Sequence, residues 1–344
     1  MTTGDLSTLL VWGAATAFTV ALIAYSVDLA RIADRAQKRV PEAALVGSSA
    51  SRPATAISGS EAQSAPGRSV RAEGIARSTT LLGLVLLFAG IVLRGIAAGR
   101  WPTANMYEFT IVGVFVAVLV LTIVQRRRVI AFVGVVVMGM AVLALVLALN
   151  AFYIQADQVQ PALQSYWLII HVGVAITATG IFTVAFAASV LQVLKSYREE
   201  SLVPVDAPAV SVGASSDGSR RSDRFRSWVG GPRFGWLEQV PGSRELEALS
   251  FRLNAIAFVL WTFTLIGGAI WAEHAWGRYW GWDPKEVGTF VAWVVYAAYL
   301  HARTTRGWSG RRASYFVFIG YAVVLANFTV VNIVIPGKHS YGGV

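Results

Sequence analysis

Residues 125–155 read QRRRVIAFVGVVVMGMAVLALVLALNAFYIQ. From Val129 to Phe152 no side chain is charged. As a helix rising 1.5 Å per residue, that run extends about 36 Å. A bilayer's hydrocarbon core is about 30 Å thick. Three arginines close one end of the run and none closes the other. A segment of this kind spans a membrane, with its basic end inside.

The same reading, carried outward, finds eight candidate spans at 8–28, 79–99, 108–125, 129–152, 167–193, 249–272, 287–303 and 314–335. The span at 287–303 is at the short limit. The expected fold class is all-α: a polytopic integral membrane protein of about eight transmembrane helices. Composition agrees. Of 344 residues, 55% are hydrophobic and 14% charged, and mean hydropathy is +0.57. Soluble domains carry about 25% charged residues, and disordered chains are polar and highly charged. Both classes are excluded.

The net charge of +10 invites a nucleic-acid reading until the basic residues are located. One alternating set of loops holds 24 of the 29 Lys and Arg residues; Arg94, Arg100, Arg278, Lys285 and Lys338 make up the other set. The rich set is expected to be cytoplasmic, which puts both termini outside and leaves no role for nucleic acid. The first span has its basic residues after it, at Arg31, Arg35, Lys38 and Arg39, so it reads as a retained helix and not a cleaved signal. With no cysteine, the chain has no thiolate metal site and no thiol nucleophile.

The expected organisation follows. Residues 1–30 form an N-terminal transmembrane helix and 31–78 a flexible cytoplasmic linker. Residues 79–193 hold spans two to five, 194–248 a basic cytoplasmic linker, and 249–344 the last three spans with their outer loop and tail. Within the second linker, Trp228, Phe234 and Trp236 suit a membrane surface.

The densest feature is WAEHAWGRYWGWDPKE, residues 271–286. Trp271, Trp276, Tyr279, Trp280 and Trp282 crowd one outer loop with Arg278, Asp283, Lys285 and Glu286. An interfacial aromatic belt is one reading. The other is a flat platform for a planar aromatic ligand. In that case Arg278 and Lys285 would face its carboxylates, while Asp283 and Glu286 would pair with those bases or hold the loop's shape. No group is expected to act as a catalytic acid, base or nucleophile.

The four histidines divide by depth. His171, His274 and His339 fall on the outer side. His301 lies about 22 Å down the seventh span, in its cytoplasmic half. Each outer histidine alone could be an ordinary interfacial residue. Together they suit a metal site, since imidazole ligates iron, zinc or copper well, and two imidazoles on opposite faces of a porphyrin would give a six-coordinate haem. An ionisable group at the depth of His301 is functional or packs a helix. No second histidine shares its depth, so a second ligand there would come from another chain. A further outer stretch, WPTANMYEF (101–109), places Glu108 at the membrane edge, where an unpaired carboxylate is costly; Arg94 and Arg100 are its candidate partners. That stretch is either a helix-entry turn or part of the outer site.

WGRYWGWDPKE resembles the tryptophan-rich "WWD" signature of membrane haem-handling proteins. VAWVVYAAYLHAR, GKHSYGG, WPTANMYEF and LQSYWLIIHV narrow the resemblance to the CcsA, or ResC, proteins of System II cytochrome c biogenesis, over most of 79–344. The resemblance implies haem b held as cargo under the outer loop. His171 and His339 would be its axial ligands there, and His301 an intramembrane ligand. The haem would then be attached to the CXXCH motif of an apocytochrome c. It further implies a CcsB/ResB (Ccs1-type) partner, a thioredoxin-like thiol-reducing pathway, a bacterial plasma-membrane location, and a subunit of a holocytochrome c synthase complex. His274 stands where the family usually has another residue and inherits no role. The competing readings are a b-type cytochrome, which would need paired intramembrane histidines, and a transporter or lipid-linked transferase built on the polar outer loop.

Overall fold

The computed structural model describes residues 1–46, 70–126, 130–156, 165–202, 224–335 and 337–338. The regular elements among them are all helical. They are α1 (Thr3–Val46), α2 (Val70–Ala98), α3 (Met106–Val124), α4 (Ala131–Asn150), α5 (Tyr166–Ser201), α6 (224–230), a 3-10 helix (Pro232–Gln239), α7 (Ser243–Trp276), α8 (Pro284–Thr305), α9 (Arg311–Phe328) and α10 (Val330–Val334).

Seven stretches are long and apolar enough to cross a membrane: α1 to Asp34, α2 from Arg71, α3, α4, α5, α7, and α9 with α10. The eighth expected span, 287–303 in α8, is not apolar enough on its own, because Trp293, Tyr296, Tyr299 and His301 stand where the others have aliphatic residues. Trp293 finds a partner on α7, whereas Tyr296 Oη is buried without one among the described residues and His301 is exposed. α8 runs antiparallel along α7: Trp261 Nε1 donates to the Thr289 carbonyl at 3.1 Å and Trp293 Nε1 to Thr262 Oγ1 at 3.0 Å. At the far end Arg303 pairs with Glu247. With 22 residues, or about 33 Å, α8 is long enough to cross the hydrocarbon beside α7.

Two packed clusters share α5. One joins α1 to α5 around Phe18, Leu87, Ile111 and Leu145. The other joins α5, α7, α8 and α9 around Phe182, Trp261, Tyr296 and Tyr321. The middle of α5 is small-sided, with Ala178, Ala185, Ala187 and Ala188 fully buried. Between lipid-embedded helices, close backbone approach and interhelical hydrogen bonds replace the hydrophobic effect as the packing force. Ser189 with Ser250 at 2.6 Å and Thr183 with Tyr321 at 2.9 Å are such bonds.

Helices extend into both stretches expected to be linkers. α1 runs to Val46 and α2 starts at Val70. Residues 47–69 and 203–223 lie outside the described residues. α5 has 36 residues, about 54 Å, and overshoots the hydrocarbon at its inner end. There Lys195 donates to the Leu237 carbonyl at 2.7 Å. Arg198 reaches the carbonyls of Val229, Gly230 and Gly231 and pairs with Glu238 at 2.7 Å. These cations order residues 224–239 as an inner cap. Trp236 stacks on Phe132 inside the bundle, while Trp228 is exposed.

Candidate functional site

The outer ends of α3, α5, α7, α8 and α9 surround a cavity that encloses about 180 Å³ and opens through a wide mouth. α5 begins with Ser165 as its N-cap, accepting from Trp167 N, and His171 follows in the second turn. His171 Nδ1 lies 2.8 Å from the Thr264 carbonyl of α7. A carbonyl can only accept, so Nδ1 carries the proton and the ring's lone pair sits on Nε2. Metal-binding histidines are commonly oriented this way. The close approach depends on Gly268, where a Cβ would fall 2.7 Å from His171 Cε1.

The His171 ring lies parallel to Trp271, 7° between planes and 6.2 Å between centroids. Trp271 is fully buried among Leu168, Trp167, Val172 and Trp276. Trp276 meets it edge-on at 4.8 Å. The expected platform therefore divides. Trp271 and Trp276 form a fixed wall, whereas Tyr279 and Trp282 are 64% and 75% exposed at the rim. Trp280 lies between, edge-on to Trp282 at 5.7 Å and to Phe290 at 6.2 Å.

The carboxylates hold this loop. Glu286 Oε2 accepts from Gly281 N at 2.8 Å and Asp283 N at 3.0 Å. Asp283 Oδ1 accepts from Lys285 N, so the two residues form a capping box for α8. Asp283 Oδ2 accepts from Lys338 N at 2.7 Å, which ties the C-terminal tail to the loop. Cations ring the mouth. The Arg278 guanidinium lies directly over Gly281, where any Cβ would overlap it, and 5.9 Å from the Trp276 ring. Lys338 Nζ lies 5.7 Å from the same ring. Lys285, at the outer cap of α8 ahead of the span, is pushed down to about 8 by burial, which outweighs the nearby Asp283 carboxylate.

The loop Thr103–Met106 forms another part of the cavity wall. Glu108 secures it by accepting from Ala104 N at 2.9 Å. Arg94 at 3.0 Å and Arg100 at 2.7 Å both pair with that carboxylate, as the sequence reading expected. Arg94 and Glu108 are almost wholly buried, and Arg94 also donates to the Ile154 carbonyl.

Sequence reasoning missed the floor of the cavity. Asn327 on α9 donates to Thr289 Oγ1 at 3.0 Å. Its Oδ1, like Glu286 Oε1, is buried without a hydrogen-bond partner among the described residues. The available signal was a polar amide inside an apolar run. His274 does not join the site: it is exposed, with Nδ1 2.8 Å from the Ile270 carbonyl of its own helix. His301 is exposed on the inner half of α8, 3.4 Å from Thr305 Oγ1. His339 lies outside the described residues. Among the described residues, no three histidine or carboxylate side chains converge as a metal cluster.

The fold and site define an all-helical integral membrane protein with an aromatic, histidine-bearing cleft at one mouth. Residues 103–339 match the family described as Cytochrome C assembly protein. Similar proteins include the cytochrome c biogenesis protein CcsA of Synechococcus sp. (strain CC9902), 34% identical over 281 residues, 78% of this chain and 87% of that protein. The CcsA of Prochlorococcus marinus (strain MIT 9515) is 32% identical over 280 residues, 79% and 85% of the two chains. The chain thus belongs to the CcsA family of cytochrome c assembly proteins and has a role in cytochrome c maturation. A solved structure described as Cytochrome c Heme Lyase CcmF shares the fold, with a TM-score of 0.57 at 14% identity. That match covers 95% of this chain, which spans about half, 47%, of that one.

Proposed function

We propose that the outer cleft holds haem for covalent attachment to the CXXCH motif of an apocytochrome c, in a bacterial plasma membrane and together with a CcsB/ResB-type partner. The observation that carries this reading is His171, whose Nδ1–H is engaged by the Thr264 carbonyl and whose ring lies parallel to the Trp271 wall at the cavity. The other groups suit the same ligand. The walls are indole and aliphatic, and Arg278, Lys285 and Lys338 ring the mouth with positive charge for carboxylates. The enclosed volume is smaller than the roughly 300–1,000 Å³ of pockets that swallow their ligands. A macrocycle here would lie across the mouth with one edge outside, as presentation to a second protein requires.

Haem supplies an iron for imidazole and vinyl groups for thiols. The chain orients His171, excludes water with Trp271 and Trp276, and holds the loop and tail rigid through Asp283 and Glu286. Proximity and orientation are the contributions a protein makes to such chemistry. His339 follows Lys338, which Asp283 binds, and is the second outer ligand in this reading. His301 is the intramembrane ligand, completed by the partner. Thiol reduction belongs to a separate thioredoxin-like pathway. The transferase reading needs a reactive carboxylate in the loop; Asp283 and Glu286 Oε2 are engaged in capping, which leaves only Glu286 Oε1 for that role among the loop's described carboxylates.

The test is the absorption spectrum of the full chain, purified with its partner. The expected result is a six-coordinate, bis-imidazole haem spectrum that disappears in the His171→Ala, His339→Ala double variant. An unchanged spectrum in that variant would overturn the assignment.

A further inference from the structure

The opposite end of the bundle carries a second cavity, of about 690 Å³, at the turn between α8 and α9. Arg306, Trp308, Arg311 and Arg312 line it, with Ser196 and Glu200 from α5. Glu200 is the acidic side chain lining it, and that carboxylate already pairs with Arg311 at 2.6 Å. Arg311 also lies 4.1 Å from the Tyr197 ring. Neither Arg306 nor Arg312 has an acidic partner among the described residues. Two arginines without an acidic partner among the described residues thus line an open cavity.

The turn itself is rigid. Glu247, at the inner end of α7, accepts from Gly310 N at 2.8 Å and pairs with Arg303. Trp308 N donates to the Ala302 carbonyl at 3.1 Å. Ser314 Oγ, one turn into α9, donates to Gln192 Oε1 at 2.6 Å. Trp308 is 38% exposed and leans on Phe316 of α9, the posture of an indole at headgroup level. The cavity sits where α5, α8 and α9 leave the hydrocarbon.

We propose that this turn is a binding site for the headgroup of an anionic phospholipid, with its phosphate held between Arg306 and Arg312 and its glycerol region against Trp308. A guanidinium fork matches phosphate oxygens in geometry as well as charge. Basic pockets between transmembrane helices at this level select anionic lipids. A zwitterionic headgroup would bring its own cation against the arginines. The site is independent of the outer cleft, and its occupancy does not require haem.

The test is native mass spectrometry of the full chain released from nanodiscs of phosphatidylcholine doped with phosphatidylglycerol or cardiolipin. The expected result is retained anionic lipid. Retention should fall on the order of tenfold in an Arg306→Gln, Arg312→Gln variant. It should be unchanged in an Arg224→Gln, Arg226→Gln variant, which removes equal charge from α6. Inorganic phosphate in large excess over the protein should not displace the lipid. Undiminished retention in the first variant overturns the proposal. So does an equal loss in the second, which would mean diffuse attraction, or full displacement by phosphate, which would mean a free-anion site. Thermal unfolding of both variants, in phosphatidylcholine alone, separates lost binding from lost fold.

Discussion

His171 and His301 sit on the same bundle and differ in almost every respect that matters for a ligand. His171 is wedged between α5 and α7, its proton committed to a backbone carbonyl, its ring parallel to a buried indole. His301 projects from the surface of α8, with one long contact to Thr305. The first is oriented by its own chain. Among the described residues the second has no wall and no partner from another helix, and it shares the face of α8 on which Phe290 and Val294 are also exposed. An imidazole can be preorganised only where a second element crosses it. On the proposed reading, the difference separates the imidazole that this chain orients from the one it leaves to a partner.

The largest expected effect breaks the oriented side. His171→Ala should remove most bound haem, a loss of tenfold or more if this ligand anchors the site, read as haem per protein by absorption. His301→Ala should lower loading by less, and imidazole in the medium should restore it, because an exposed ligand position admits a small-molecule substitute. If imidazole rescues His171→Ala as fully as His301→Ala, the contrast between the two is wrong.

Next comes the cavity wall formed by the loop Thr103–Met106. Glu108→Gln leaves Arg94 buried without its counter-charge, and breaking such a pair costs about 3–5 kcal/mol. A marked drop in thermal midpoint is expected in detergent. A drop of a degree or less would mean that water reaches Arg94 and the wall is not built as described.

A smaller effect concerns the tie between loop and tail. Asp283→Ala removes a helix cap, worth about 0.5–2 kcal/mol, and frees Lys338. Hydrogen exchange should rise at 337–338 and in 281–283, and stay unchanged around His301. Exchange that rises equally at both ends would deny that the capping box is local.

Smaller still is a pH effect. Lys285 loses its proton near pH 8. Its attraction for a carboxylate is present below that pH and fades above it, so retention of an anionic porphyrin should weaken between about pH 7 and pH 9. Lys285→Arg should flatten the profile, since guanidinium stays charged. A profile identical in both proteins would remove Lys285 from the site.

Much of this was legible in the sequence because membrane helices announce themselves through uninterrupted apolar runs. The seven crossing helices match expected spans, and Glu108 met both of its expected arginines. α8 was legible from spacing, although its Trp and Tyr side chains make it depend on α7 for partners. The order at 224–239 was not legible. Gly-Pro-Arg composition reads as loop until Lys195 and Arg198, cations on a helix far upstream, are seen to collect its carbonyls. Asn327 escaped for the same reason: an isolated amide in an apolar run says nothing about which cavity it floors.

Residue order alone determined that the chain is a helical membrane bundle, which face collects arginine, and that one loop concentrates indole rings. Those properties are one-dimensional: hydrocarbon thickness and charge placement act on consecutive residues. Only the tertiary structure decided which nitrogen of His171 is protonated, which tryptophans are wall and which are rim, and that Asp283 also holds the Lys338 amide. Each of those depends on a carbonyl, an amide or a ring brought in from a distant part of the chain, and no local pattern encodes such a meeting.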